Sequence, residues 1–84
     1  MQNKYMTKQM IHRTIRLSLE LDDYIARHPR TLDVIPRGAE IIITSARDKK
    51  LSEANLGIAR RSKGRFVEAQ KVGKRWKIRS LQRA

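Results

Sequence analysis

Arg75, Lys77 and Arg79 alternate with Trp76 and Ile78 toward the end of an 84-residue chain. Successive side chains of an extended strand point to opposite faces, so this pattern makes one apolar face and one cationic face. Cations on such a face recur every 6.6 to 7 Å or so, comparable to the spacing of phosphates along a nucleic-acid backbone. Arg65 and Lys71 on the strand expected before it, with Lys74 in the turn between them, extend the row. The chemistry this offers is electrostatic capture of a polyanion, DNA or RNA, with low sequence preference. The competing reading is an edge strand protected by Lys and Arg against edge-to-edge aggregation.

The charge balance favours a polyanionic partner. From Arg60 to Ala84, ten Lys and Arg residues face a single carboxylate, Glu68, which accounts for +9 of the chain's formal +12. Self-repulsion of that size costs stability and is relieved by a polyanion. Sequence readout is less supported, because the chain has no helix-turn-helix, zinc-finger or aromatic RNA-recognition signature.

Bond-making chemistry finds little support. Cysteine is absent, and His12 and His28 stand too far apart to place ligands on one helical turn, so no metal or other cofactor is expected. Asp22 and Asp23 are adjacent, hence about 100° apart on a helix, and do not form a facing carboxylate pair. Ser45, Arg47, Lys49, Lys50 and Ser52 surround the start of a helix but lack the Gly-rich turn that lets a backbone wrap a phosphate. The expectation is a non-enzymatic binding module.

The elements that must position the cationic face follow from periodicity. Between Thr7 and His28 two periods compete: Met10, Ile11, Thr14, Leu17, Leu21, Tyr24, Ile25 and His28 make a helical stripe, whereas Ile15, Leu17, Leu19 and Leu21 alternate as in a strand. The stripe lasts about twenty residues without Gly or Pro and ends at Pro29, which decides for helix. Arg30 to Asp33 reads as a short connection, and Ile35-Pro36-Arg37-Gly38 as a type I turn. Ala39 to Ser45, with three consecutive isoleucines, reads as a central strand buried on both faces. Asp48 or Ser52 caps a helix running to Lys63, with Leu51, Asn55, Ile58 and Ser62 on one face and Gly64 as its stop. Arg65 to Val72 and Arg75 to Leu81 form a hairpin around Gly73-Lys74. The expected fold is α/β: a small single domain of order αβαββ, a three-stranded mixed sheet packed with two helices.

One domain is expected over residues 1–84, with flexible ends at 1–6 and 82–84. The longest apolar stretch, Ile41 to Ile43, is too short for a membrane span, and a cytoplasmic location is expected. So small a domain usually needs a staple, and without cysteine or metal that staple is another subunit. Ile15 and Leu19 lie off the core stripe of the first helix and need cover, which points to a homodimer meeting there. The functional alternative is a protein-interaction or regulatory subunit, for example of toxin–antitoxin type, using Ile15 and Leu19 and with no nucleic-acid role.

Two resemblances add to this reading. Leu17-Ser18-Leu19-Glu20-Leu21, Asp23-Tyr24, His28-Pro29, Leu32, Ile35 through Ile42, Leu51 through Leu56 and Ala59 together resemble an uncharacterised family of small prokaryotic proteins. That similarity implies a long first helix, a strand after the Ile-Pro-Arg-Gly-Ala turn and a helix from Leu-Ser-Glu-Ala-Asn, and it implies no activity. The cationic tail departs from the Glu-rich relatives. Separately, Arg13 through Leu21 resembles the strand and helix start of a ribbon-helix-helix repressor, which would imply paired strands entering the major groove.

Overall fold

The computed structural model describes residues 7–81, which contains α1 (Lys8–Arg27), a 3-10 turn (Pro29–Val34), β1 (Glu40–Ser45), α2 (Lys49–Arg61), β2 (Phe66–Val72) and β3 (Arg75–Leu81). The segments expected as flexible ends lie outside the described residues. β1 pairs in parallel with β2, and β2 pairs antiparallel with β3, giving a mixed sheet of order β1-β2-β3. The α/β architecture and its element order are those expected from the sequence.

Each boundary has a local cause. Thr7 caps α1 by accepting a hydrogen bond from the Met10 N–H on its hydroxyl. Pro29 ends α1, and the N–H of His28 turns back onto the Tyr24 and Ile25 carbonyls. Helix across Arg13–Leu21 leaves no strand there, so the ribbon-helix-helix resemblance does not extend to the structure. The turn into β1 is closed by the Ala39 N–H on the Pro36 carbonyl, with Gly38 in its third position at φ +82°. That positive φ marks a type II turn one residue later than the type I turn expected, and explains why glycine stands there. Asp48, rather than Ser52, caps α2 by accepting from the Leu51 N–H.

The sheet separates two cores. On one face Ile43, Ala69 and Trp76 pack with Leu21, joined by Leu17, Tyr24 and Ile25 of α1 and by Ile78. On the other, Ile42 and Phe66 pack with Ala59, joined by Leu56 of α2 and by Leu81. The alternation of Ile42 with Ile43 follows from the two-residue period of the strand. Trp76 therefore belongs to the core, as do Leu17, Leu21, Tyr24 and Ile25 of the α1 stripe. Ile11 does not: it is 42% exposed and lies with Ile15 and Leu19 instead.

β1 is an edge strand, not the central one; β2 holds the centre. Its apolar run misleads because α2 seals its outer edge with side chains. Glu40 and Ala46 donate their N–H groups to Arg65 and Lys71 of the β2 segment, so the even-numbered residues turn toward β2 and the odd-numbered ones outward. The outward Ser45 N–H donates to Ser52 Oγ at 2.8 Å, and that hydroxyl is 2.9 Å from the Ser45 carbonyl and 2.8 Å from that of Asp48. The outward Ile43 carbonyl accepts from Asn55 Nδ2 at 2.8 Å, and the same amide reaches Thr14 Oγ1 at 3.1 Å. Ser52 and Asn55 thus take the place of a fourth strand, and Asn55 ties α1, α2 and β1 together.

Gly57 is the weak point of α2. Glycine inside a helix costs about 1 kcal/mol relative to Ala. A Cβ here would meet the Arg61 guanidinium at 3.0 Å, the far end of a flexible side chain, which has to give by a few tenths of an ångström. Gly57→Ala is expected to raise the melting temperature by several degrees, given roughly 4–8 °C per kcal/mol in a domain of this size. A thermal melt that falls instead would mean that the placement of Arg61 matters more than helix propensity.

Candidate nucleic-acid interface

The alternation of β3 places its cations as the sequence predicts. Trp76 and Ile78 turn to the α1 face, and Arg75, Lys77 and Arg79 turn to the α2 face, all three exposed. The cluster that α2 makes with that face includes Phe66 and Leu81 at the far end of β2 and β3, whereas Arg75 and Lys77 stand at the turn end of β3, exposed. Gly73 and Lys74 form the turn, with Gly73 at φ +64°, and Lys74 is exposed there. Arg75, Lys77 and Lys74 make up the clustered, solvent-facing part of the predicted site.

Other predicted members go elsewhere. Lys71 pairs with Trp76 across the hairpin and therefore shares its face. Its ammonium forms an ion pair with Glu20 of α1, so it does not extend the row as expected. The reason is parity: β2 places Lys71 and Ala69 on the side that receives α1, and only even-numbered residues of β2 share a face with Arg75 and Lys77. Arg65 is exposed just before β2, and its carbonyl accepts the Glu40 N–H. Arg79 is on the expected face, but its Nε donates to Glu68 Oε1 at 2.6 Å. Glu68 is only 2% exposed, and its other oxygen accepts the Thr44 hydroxyl at 2.6 Å. One of the row's three cations is thus occupied with neutralising a buried carboxylate.

The structure adds a cation that periodicity did not connect to the row. Arg60, in the last turn of α2, and Arg79 both line a groove of about 210 Å³, together with Leu56, Ala59, Phe66 and Leu81. A cation in the last turn of a helix complements its dipole, which is reason enough for Arg60 to stand there. Its position beside β3 depends on α2 crossing over the sheet, which no local pattern encodes. Exposed Lys63 and Arg65 follow in the connection from α2 to β2. The cationic surface therefore runs from the α2–β2 connection, past Arg60 and Arg79, to Lys77, Arg75 and Lys74.

Among the described residues no group of three or more His, Cys, Asp and Glu side chains is arranged to hold a metal ion. His28 stacks at 4.4 Å on Tyr24, and His12 is exposed. No helix among the described residues is long and apolar enough to cross a membrane.

The fold and this surface define a small basic α/β domain with one helix on each face of a three-stranded sheet. Residues 9–81 match the model of a family of unknown function, DUF5647, and the chain belongs to that family. Searches of curated proteins and of solved structures return no match.

Proposed function

We propose that this protein is a non-enzymatic module that holds the phosphate backbone of nucleic acid against the open face of β3. The observation that carries the reading is the pair Arg75 and Lys77: neighbouring on one face, both exposed, and outside the apolar cluster that α2 makes with that face. Edge protection needs charge on a strand; it does not need the charge to continue through Arg79 and Arg60 onto a second element. Backbone contact without base readout suits a flat strand face, because phosphate contacts position a protein and carry no sequence information.

Salt dependence tests this directly. Fluorescence anisotropy with mixed-sequence duplex DNA over a range of KCl is expected to give a steep log–log slope, near −0.9 per neutralised phosphate. The Arg75→Gln, Lys77→Gln double variant is expected to flatten that slope by about 1.8 and to weaken binding equally across sequences. Lys71→Gln, on the opposite face, is expected to leave the slope unchanged. Equal effects from both variants would reduce the attraction to net charge alone and remove the proposed site.

A further inference from the structure

α1 carries two apolar faces. Met10, Thr14, Leu17, Leu21, Tyr24 and Ile25 lie on the side turned to the sheet, where Leu21 is buried. Ile11, Ile15 and Leu19, at i, i+4 and i+8, lie roughly 140° around the helix from them. They are 42%, 53% and 64% exposed, and none belongs to either apolar cluster of the described fold. Three large aliphatic side chains along one i, i+4, i+8 ridge are more than scattered surface apolarity, and such a ridge marks an interaction surface.

The charges at its two ends identify the partner. At about 100° per residue, Lys8 and Asp22 fall on this same stripe, one turn beyond Ile11 and just beyond Leu19. Both are exposed, and no ion pair joins either of them to the rest of the described fold. The stripe therefore reads Lys, Ile, Ile, Leu, Asp from N- to C-terminus, basic at one end and acidic at the other. A surface of that kind is complementary to itself when reversed. With a two-fold axis at Ile15, residues whose numbers sum to 30 face each other: Ile15 meets Ile15, Ile11 meets Leu19, and Lys8 meets Asp22 of the second copy. A parallel arrangement would instead set Lys8 against Lys8 and Asp22 against Asp22, which is repulsive at both ends.

We infer that the protein forms an antiparallel homodimer through α1, with Ile11, Ile15 and Leu19 in the seam and Lys8 paired with Asp22 of the second copy at each end. The two-fold relation makes the contact isologous and closed, so it ends at two subunits. α1 and the Arg75–Lys77 face lie on opposite sides of the sheet, so dimerisation leaves both cationic faces open. The dimer and the nucleic-acid reading can thus fail independently.

Sedimentation equilibrium of the full chain is the test. The wild type is expected to be dimeric at tens of micromolar, and Ile15→Glu to weaken association at least about a hundredfold, since two buried aliphatic side chains become two facing carboxylates. Lys8→Asp and Asp22→Lys are each expected to weaken it about tenfold, and the two together to restore wild-type association. Circular dichroism checks that each variant is folded; these two charge variants change only exposed side chains, so they decide the matter even if Ile15→Glu unfolds. A monomeric wild type, a folded Ile15→Glu dimer, or a double charge variant no better than the single ones would each overturn the proposal.

Discussion

Asn55→Leu is expected to cost about 3 kcal/mol of stability, which is a large share of the roughly 4–13 kcal/mol available to a chain of this length. Asn55 is 4% exposed, and its Nδ2 supplies a hydrogen to the Ile43 carbonyl and to the Thr14 hydroxyl. Leucine keeps an apolar body of similar size at the site but leaves the outward carbonyl of an edge strand enclosed without a donor. An unmet buried acceptor costs about 1–3 kcal/mol, and the stranded Thr14 hydroxyl adds to it. Thr14→Val in the Asn55→Leu background is expected to cost less than in the wild type, because its hydroxyl has already lost this partner. Urea unfolding gives all four corners of that cycle. A loss below about 1 kcal/mol for Asn55→Leu would mean that water replaces the amide, and that β1's edge is not sealed as described.

Asn55 also shows where sequence reading stops. Its place on the buried face of α2 was legible from the spacing with Leu51, but a polar residue on such a face looks like a concession to solvent rather than a substitute strand. The same seal makes Ile41 to Ile43 resemble a central strand, since periodicity registers burial and not what causes it. Elements set by local chemistry were legible: α1 from its stripe and Pro29, α2 from a cap at Asp48 or Ser52 and the face that starts at Leu51, the hairpin from Gly73-Lys74 and the alternation around Trp76. Relations between elements were not. The face of β2 that receives α1, and with it the loss of Lys71 to Glu20, depends on the side to which the chain crosses over. Ile11 was assigned to the core because its angular position lies between the two apolar faces of α1, and only the packing of Leu17 and Leu21 shows which face it joins. On β3 the division of apolar from cationic side chains was fully legible, because a two-residue period leaves no third option.

Glu68→Ala is expected to cost about 3 kcal/mol, and the way that cost divides bears on which cations are available to a ligand. Glu68 lies in the middle of the central strand, takes the Thr44 hydroxyl on one oxygen and Arg79 Nε on the other, and is itself almost wholly enclosed. Removing it leaves a cavity and strips the partner from Thr44, which is 0% exposed. Arg79 is not stranded in the same way, because its side chain is 71% exposed and returns to water. The penalty should therefore follow Thr44: adding Thr44→Val to Glu68→Ala is expected to cost little, whereas Thr44→Val alone leaves Glu68 Oε2 without its donor. Arg79→Gln is expected to cost about 1 kcal/mol in the wild type and close to nothing beside Glu68→Gln, the discount reflecting solvent around an exposed guanidinium. If Arg79 neutralises Glu68 in this way, Arg79→Gln lowers the unfolding midpoint while changing the salt slope for DNA less than Arg75→Gln or Lys77→Gln does. Equal slope changes from all three, with no loss of stability from Arg79→Gln, would return Arg79 to the ligand-facing row and make the buried carboxylate of Glu68 independent of it.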